Sequence, residues 1–401
     1  MNTSAAAMRF VSLLLIIFVL SGCAYTEVPE TSSVTQPSLT EPTVYTAPTQ
    51  TTAPSTAPTS APPTEPAFDP YALIDSMSPE ALIGQLFLVR CPDTGAIEDI
   101  EQYQPGGFVL FGRDFADKSP DTVRQTIADY QAASAIPLLI STDEEGGTVT
   151  RVSSHSQYRS SRFPSPRNLY ASGGLELILE TELEKCRLLS NLGVNVNLAP
   201  VCDITDDPEA FMYSRSLGES PAITGAFAAE LCTLMAQEGI GSVLKHFPGY
   251  GNNRDTHTGI ARDSRPLAQL ETQDLIPFRA GIAADCDAIL VSHTIVEAFD
   301  PELPASLSPA VTSYLRKNLG FNGVILTDDL IMEAITDLYG AEEAAVLAVL
   351  AGCDMLCSSE YPVQYSAVLE AFLTGRIPET QIRESVARIL LWKHKLGLLP
   401  D

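Results

Sequence analysis

The sequence predicts an α/β protein whose folded part, residues 68–401, is a single (β/α)8 TIM barrel. Two observations carry the prediction: eight short apolar runs alternate with helical patterns, and polar side chains follow most of these runs. Strands buried on both faces of a parallel sheet are nearly continuous in apolar residues. A barrel of this class takes about 250 residues plus insertions, so one catalytic domain accounts for the length. An open, doubly wound sheet is the alternative fold.

The eight predicted strands follow one another along the chain, with helical patterns between them. Two helices have clear starts, because Ser119 and Ser308 each precede a proline, the typical pairing of N-cap and first helical residue. The strands are expected in GQLFLVR (84–90), GGFVLFG (106–112), PLLISTD (137–143), NVNLAPV (195–201), GSVLKHF (241–247), AILVSHT (288–294), GVILTDD (323–329) and DMLCSS (354–359).

The amino-terminal residues predict export. Arg9 precedes an apolar run from Phe10 to Leu20, which is short for a membrane span and typical of a signal peptide. The run ends in Leu20-Ser21-Gly22-Cys23, which resembles the lipobox of bacterial lipoproteins. The resemblance implies a signal peptide over 1–22, cleavage before Cys23 and lipid attachment to its thiol. An ordinary secretory signal is the alternative.

Residues 23–67 are rich in Thr, Pro and Ser and nearly lack large apolar side chains. Such a segment cannot bury enough surface to fold, and its prolines keep it extended. We therefore expect a disordered linker that holds the barrel outside the cytoplasm, with the protein lipid-anchored to the bacterial cell membrane.

Charge and cysteine usage argue against two kinds of site. The net charge of −26 opposes nucleic-acid binding, which needs a basic surface. The cysteines after Cys23 include no C-x-x-C pair, and most lie in apolar periodic segments. They are expected to be buried free thiols rather than a disulfide framework or a zinc site, although a single bridge is an alternative.

Polar side chains gather at the ends of five predicted strands. Barrel enzymes build their sites from the loops at the carboxyl ends of the strands, so the sequence predicts a functional pocket at this end. The residues are Asp143, Cys202 and Asp203, Lys245 and His246, Ser292 and His293, and Asp328 and Asp329.

The stretch KHFPGYGNNRDTHTG (245–259) places an Asp and a His two residues apart in a glycine-rich loop. An imidazole that protonates a leaving oxygen needs a partner that sets its tautomer and balances its charge. Asp255 can serve His257 in this way, and Asp328, which ends a buried strand, suits a nucleophile in glycoside cleavage. The alternative is that Asp255 and His257 only satisfy backbone groups of the turn.

The chain contains no phosphate-binding loop, dinucleotide fingerprint or GxSxG elbow, so neither a nucleotide cofactor nor serine acyl transfer is indicated. A metal site built from His246, His257 and His293 would need denser histidine spacing, and the chain has five histidines. We expect no metal and no other cofactor. If the loop pair is structural, Glu144, Glu145 and His293 are the next candidates for the acid.

Five longer motifs occur in the order STDEEGGTVTR, VNLAPVCDI, KHFPGYG…DTH, SHT…DPELPASLS and VILTDDLIM. Together they resemble glycoside hydrolase family 3, and most closely its NagZ-type β-N-acetylglucosaminidases, over nearly all of residues 70–398. The resemblance implies that Asp328 is the nucleophile and that Asp255 and His257 form the acid/base dyad. It also implies substrate-holding roles for Asp143, Arg151, Arg215, Lys245 and His246.

The chain departs from the family pattern at three positions. Tyr250 stands where the family's KHFPGHG has a histidine, Glu144 replaces a common glutamine, and Thr148 replaces the usual arginine. The change at Tyr250 lies at the base of the loop. It is expected to affect loop closure more than substrate recognition, because Asp143 and Arg151 are retained.

The expected function is that of a retaining, exo-acting β-N-acetylhexosaminidase that removes terminal N-acetylglucosamine from cell-wall peptidoglycan or related glycans. Family 3 glucosidases and xylosidases commonly take their acid/base carboxylate from a second domain, and little sequence follows the last predicted helix before Asp401. This favours N-acetylglucosamine over glucose. A β-glucosidase or xylosidase of the same family, or a non-catalytic sugar-binding lipoprotein, is the alternative.

Overall fold

A closed ring of parallel strands forms the centre of the protein. The computed structural model describes residues 68–253 and 259–400. Two short segments, β6 (Arg262–Asp263) and β8 (Ile295–Val296), pair in parallel outside the ring. The ring consists of β1 (Phe87–Arg90), β2 (Gly107–Leu110), β3 (Leu139–Thr142), β4 (Val196–Asn197), β5 (Gly241–Phe247), β7 (Ala288–Val291), β9 (Val324–Thr327) and β10 (Leu356–Ser358).

The strands are neighbours in the order β10-β1-β2-β3-β4-β5-β7-β9, and every pair in this series is parallel. The ring closes between β9 and β10. There Leu326 bridges Met355, and the Thr327 N–H donates to the Met355 carbonyl over 3.0 Å. The prediction of a (β/α)8 barrel is confirmed, and the open sheet is wrong.

All eight predicted strands are present, although most are shorter than the apolar runs that predicted them. The fourth run spans 195–201, but only Val196–Asn197 pairs as a strand. Pro200 has no N–H to donate to the sheet, so the chain leaves regular pairing there. Pairing resumes briefly where the Cys202 N–H donates to the Lys245 carbonyl over 2.6 Å.

Helices surround the ring and connect successive strands. Within residues 68–253 and 259–400, none has both the length and the apolar character needed to cross a membrane. They are α1 (Pro70–Ile74), α2 (Pro79–Gln85), α3 (Ala96–Tyr103), α4 (Gly112–Phe115), α5 (Pro120–Ala133), α6 (Pro166–Leu192), α7 (Pro221–Gln237), α8 (Leu267–Thr272), α9 (Leu275–Ala283), α10 (Pro309–Lys317), α11 (Glu333–Ala351), α12 (Tyr361–Leu373) and α13 (Glu379–Lys395).

Serine followed by proline marks the start of several helices. The Ser119 hydroxyl accepts from the Thr122 N–H over 3.1 Å at the start of α5, as predicted. Ser308 also precedes its helix, but its hydroxyl donates to Asp300 over 2.8 Å instead of capping the helix. The start of α10 is therefore predicted correctly, whereas its side-chain cap is absent.

The strands and the inner faces of the helices share one apolar core. Leu88, Ile140, Leu244 and Ile325 have no exposed surface, and fully burying such a side chain contributes about 1.5–3 kcal/mol. The cysteines of the described residues are free thiols within or beside this core, and only Cys357 among them is partly exposed.

The first and last described helices meet at the face of the barrel where the strands begin. Phe68 stacks on His394 with ring centroids 4.4 Å apart, and α1 packs along α13. The Lys395 ammonium lies 2.8 Å from a carboxylate oxygen of Asp287, which immediately precedes β7. Phe68 therefore lies near the amino ends of the strands, at the opposite end from the predicted polar residues.

Candidate active site

A large pocket opens at the carboxyl ends of the strands, with a volume of about 770 Å³. This size is in the range of small-molecule binding sites. Phe111, Phe211 and Met332 supply apolar surface. The polar lining contains the sequence-selected residues Asp143, Arg151, Arg215, Lys245, His246, Asp328 and Asp329.

A buried ion-pair network forms one wall of this pocket. The Lys245 ammonium lies 2.7 Å from a carboxylate oxygen of Asp143 and 2.7 Å from one of Glu145. Arg215 holds the same Glu145 with two nitrogens, Nε at 2.9 Å from Oε2 and Nη2 at 2.7 Å from Oε1. Lys245 is 2% exposed and Glu145 4%, so water screens these charges poorly. The two cations are thus fixed in place by carboxylates.

The charges of this network follow from a balance between burial and neighbouring ions. Burial raises the pKa of Glu145, but the charges of Arg215 and Lys245 outweigh it and hold that pKa well below its ordinary value. Burial lowers the pKa of Lys245, but Asp143 and Glu145 outweigh it and raise that pKa above its ordinary value. Both side chains are charged at neutral pH, so Glu145 is unsuited to the role of proton donor.

His246 is oriented by Asp203. One carboxylate oxygen of Asp203 accepts from the backbone N–H of His246 (3.1 Å) and faces its ring Nδ1 (2.8 Å). The other oxygen accepts from the Tyr250 N–H over 2.7 Å. Because a carboxylate faces Nδ1, that nitrogen carries the hydrogen, and Nε2 lies 3.3 Å from an Arg215 nitrogen. Asp203 therefore fixes both the tautomer and the ring position.

The Tyr250 side chain packs against this histidine. Tyr250 is 1% exposed, and its ring lies edge-on to the His246 ring with centroids 5.4 Å apart. The departure from the family pattern at Tyr250 thus touches a pocket residue directly. The sequence interpretation placed its effect mainly on loop closure, and the structure adds a contact with the pocket wall.

Arg151 reaches the pocket from the loop after β3, and Glu144 fixes that loop. The buried Glu144 carboxylate accepts from the backbone N–H groups of Arg151 (2.9 Å), Val152 (2.7 Å) and Ser153 (3.4 Å), and from the Ser153 hydroxyl. Four donors thus occupy the oxygens of this one carboxylate. Glu144 is therefore a structural clamp rather than the reserve acid that the sequence left open.

Asp328 and Asp329 follow β9 at the floor of the pocket. Alternation along a strand predicts that only one of them faces the pocket, but both line it because the strand ends at Thr327. The Asp329 carboxylate accepts from the backbone N–H groups of Ser359 (3.1 Å) and Ile331 (3.2 Å) and from the Ser359 hydroxyl. Asp329 thus links the loops after β9 and β10, which favours Asp328 as the reacting carboxylate.

His293 is enclosed beneath this floor. It has no exposed surface, its Nδ1 lies 2.7 Å from the Ser306 hydroxyl, and its Nε2 lies 3.0 Å from the Asp329 carbonyl oxygen. Both ring nitrogens are engaged in these contacts. His293 therefore supports the floor and is poorly placed to deliver a proton to a bound ligand.

Three sequence-selected residues, Cys23, Asp255 and His257, lie outside the described residues. Glu145 and Asp203 organise the pocket, although the sequence analysis assigned no substrate-holding role to either residue. Both lie close behind predicted strand ends, the same signal that selected Asp143. In the part of the chain that the structure describes, no three His, Cys, Asp or Glu side chains are grouped as a metal ion would require.

Eight parallel strands, with a polar pocket at their carboxyl ends, define a TIM-barrel enzyme that handles a small polar ligand. The sequence identifies the family. Residues 80–391 match the family model described as the glycosyl hydrolase family 3 N terminal domain. The chain belongs to this family and is a glycoside hydrolase.

Curated relatives and solved structures agree with this membership. Beta-hexosaminidase LpqI of Mycobacterium tuberculosis is 30% identical over 338 residues, which cover 81% of this chain and 85% of LpqI. The beta-hexosaminidase of Stenotrophomonas maltophilia is 36% identical over 287 residues, which cover 68% of this chain and 83% of the relative.

Two solved structures share the fold. A glycoside hydrolase family 3 beta-N-acetylglucosaminidase from a Paenibacillus species superposes with a TM-score of 0.75 and 33% identity over 81% of this chain. The match spans 64% of that protein, slightly less than two thirds of its length. LpqI of M. tuberculosis has a TM-score of 0.75 and 29% identity, and the match covers 81% of this chain and 96% of LpqI.

Proposed function

We propose that the protein is a retaining, exo-acting β-N-acetylhexosaminidase that removes terminal N-acetylglucosamine from glycans. The proposal rests on one observation: Asp328 lines the same pocket as the fixed cations Lys245 and Arg215, in a member of a glycoside hydrolase family. The names of the relatives, beta-hexosaminidase and beta-N-acetylglucosaminidase, support this sugar class.

In this proposal Asp328 attacks the anomeric carbon and forms a glycosyl-aspartate, while His257 gives a proton to the departing oxygen. His257, then neutral, takes a proton from water, and the water oxygen displaces Asp328. Two displacements at one carbon return the starting anomeric configuration. Asp255 balances the charge of the imidazolium in the first step.

The remaining pocket residues are proposed to hold the terminal sugar. Asp143, Arg151, Arg215, Lys245 and His246 would bind its hydroxyls and N-acetyl group. A site built from paired polar groups rejects analogues that leave those groups without a partner. The ion pairs of Glu145 support this role, because they keep Lys245 and Arg215 charged and still before the substrate arrives.

The proposal also covers the location and the natural glycan. Residues 1–22 act as a lipoprotein signal peptide, Cys23 carries lipid, 23–67 form the tether, and 68–401 form the catalytic domain. A membrane-anchored enzyme outside the cytoplasm would act on peptidoglycan or related glycans. Cys23→Ser is expected to release the protein from the membrane fraction or leave the precursor unprocessed. Unchanged fractionation and processing would contradict the proposed lipid anchor.

The decisive assay compares 4-nitrophenyl N-acetyl-β-glucosaminide with the matching glucoside and xyloside, with and without phosphate as an alternative acceptor. We expect the N-acetyl substrate to be preferred and the first product to retain its configuration. A fluorosugar should trap label on Asp328. Label on Asp329, or an inverted first product, contradicts the mechanism, and a preference for the glucoside reassigns the substrate.

The dyad is tested by leaving-group dependence. His257→Ala is expected to slow substrates with a sugar leaving group far more than activated aryl glycosides, since general acid assistance supplies about 10²–10⁴-fold. Asp255→Asn is expected to lose much of the same factor, with the double variant little worse than the worse single one. If His257→Ala slows both kinds of substrate equally, the proton donor lies elsewhere.

A further inference from the structure

Arg90 is a pocket cation that the proposed reaction does not use. It is the last residue of β1, its side chain is exposed, and its guanidinium carbon lies 4.7 Å from the centre of the Phe111 ring. Within residues 68–253 and 259–400 it takes part in no ion pair, whereas Lys245 and Arg215 share Glu145. In a chain of net charge −26, a carboxylate partner for Arg90 would be easy to supply, so its lack of one calls for an explanation.

Arg151 lies over the same aromatic ring, with its guanidinium carbon 5.4 Å from the centre of Phe111. The nearest carboxylate in the described residues, Asp143, is 3.6 Å from Arg151, beyond hydrogen-bond distance, and 2.7 Å from Lys245. The buried Nε of Arg151 has no hydrogen-bond acceptor in the described part of the chain. Two guanidinium groups with unused donors thus converge on Phe111 at the pocket wall.

The order of strands places this pair on the side away from the leaving group. In the closed ring, β1 is separated from β5 by three strands in either direction. The proposed acid/base pair follows β5 in the chain, so the leaving group departs towards that side. Arg90, at the end of β1, faces the opposite side, where the edge of the sugar remote from its anomeric carbon would lie.

We propose that Arg90 and Arg151 bind an anionic substituent carried by the terminal sugar itself, such as a phosphate, sulfate or carboxylate group. A guanidinium group pairs with such groups through two parallel hydrogen bonds, and stacking on Phe111 orients both guanidinium groups before the ligand binds. The inference rests on the proposed function and narrows its substrate class to sugar ends that carry negative charge on the edge remote from the scissile bond.

The test compares 4-nitrophenyl N-acetyl-β-glucosaminide with its 6-O-sulfate and 6-O-phosphate. In the wild type we expect a higher kcat/KM for the charged esters at low salt, and a smaller preference as salt screens the contact. Arg90→Met keeps an apolar side chain over Phe111 and removes the guanidinium group. It is expected to reduce the preference about tenfold to a hundredfold, the effect of losing one hydrogen-bonded ionic contact.

Two further variants sharpen this comparison. Arg90→Lys keeps the positive charge but lacks the paired donors of a guanidinium group, so it should retain more of the preference for charged esters than Arg90→Met does. Arg187→Met, which removes an exposed arginine from α6, is the matched control and should leave the preference as in the wild type. The sulfate and phosphate esters, measured separately, show which anion the pocket favours.

The inference is overturned if the wild type handles charged and neutral substrates alike, or if Arg90→Met slows both by the same factor. A substrate with a carboxylate on the aryl leaving group tests the position. If Arg90→Met affects that substrate and spares the sulfated sugar, the anion site belongs to the leaving-group side and the inference is wrong.

Calorimetry separates this inference from the proposed function. N-acetylglucosamine 6-phosphate should bind the wild type more tightly than N-acetylglucosamine, and Arg90→Met should remove the difference. If this difference in affinity is found but no glycoside is hydrolysed, the anion site is supported and the proposed function is wrong. Equal affinities beside normal hydrolysis would overturn the anion site alone.

Discussion

Glu145 is the residue whose replacement should disturb the pocket most clearly without altering its shape. The change Glu145→Gln removes one negative charge from between Arg215 and Lys245, which lie 2.7 Å from the same carboxylate oxygen. Breaking a buried ion pair by neutralising one partner costs about 3–5 kcal/mol. Lys245 would keep its ion pair with Asp143, whereas Arg215 would lose the charge of its carboxylate partner.

The expected loss is large enough to measure by thermal unfolding. An unfolding entropy of roughly 2.1 cal/mol/K per residue over about 330 residues gives about 0.7 kcal/mol/K, so the loss corresponds to a Tm about 4–7 °C lower. The exposed Glu180→Gln on α6 removes the same charge from the surface and should shift stability by less than about 0.5 kcal/mol.

The pH dependence supplies a second readout, through Lys245. Its folded-state pKa is raised above its ordinary value, so the stability from its charge is complete below the ordinary pKa and is lost as pH rises through the folded value. Glu145→Gln removes one of the two carboxylates that raise this pKa, so the loss should be complete at a lower pH. The fall of kcat/KM at alkaline pH should likewise move to lower pH, mainly through an increase in KM. A Tm within 1 °C of the wild type, together with an unmoved fall of kcat/KM at alkaline pH, would refute the reasoning.

Three further predictions concern the clamp, the core and the pocket thiol. Glu144→Ala leaves the buried N–H donors of its loop without an acceptor, at a cost of about 1–3 kcal/mol each. In steady-state kinetics this variant should raise KM more than it lowers kcat, whereas Glu144→Gln should stay near the wild type. Burial lowers the pKa of Lys393 to about 7, so its charge penalty is full below that pH and fades as pH rises towards its ordinary pKa. Calorimetry should therefore show that Lys393→Met raises the Tm more at pH 6 than at pH 9.5, and an equal gain at both would contradict this. Burial, followed by the charges of Asp329, Asp328 and Asp143, holds the pKa of the Cys357 thiol well above its ordinary value. Mass spectrometry should find slow iodoacetamide labelling of Cys357 at pH 8 and protection by bound sugar, and fast labelling would contradict the environment.

The barrel could be predicted because its strands are buried on both faces and therefore nearly continuous in apolar residues. The ends of the strands were less predictable. The run at 195–201 continues through a proline that has no N–H to donate to the sheet, and the run at 323–329 continues into two aspartates that follow the end of the strand at Thr327. Hydrophobicity reports burial, which extends beyond regular pairing at 195–201, whereas Asp328 and Asp329 are only partly buried because they line the pocket.

The pocket residues were selected in part by position at strand ends and in part by resemblance, but their partners could not be found in this way. Arg215 meets Glu145 across 70 positions of sequence, and Lys245 meets Asp143 across 102. Local spacing carries no information about contacts between loops of different strands. Of the two roles that sequence missed, the orientation of His246 by Asp203 is a contact of this kind, whereas the clamp of Glu144 acts within the single loop after β3.

The stacking of Phe68 on His394 has a consequence for how a polymer could reach this enzyme. Phe68 lies at the pole of the barrel where the strands begin, and the pocket opens at the other pole. The proposed tether joins the barrel at Phe68, so its point of attachment lies at the end of the barrel away from the pocket. Replacing the proposed tether before Phe68 by one of another length is therefore expected to leave turnover of soluble substrates unchanged.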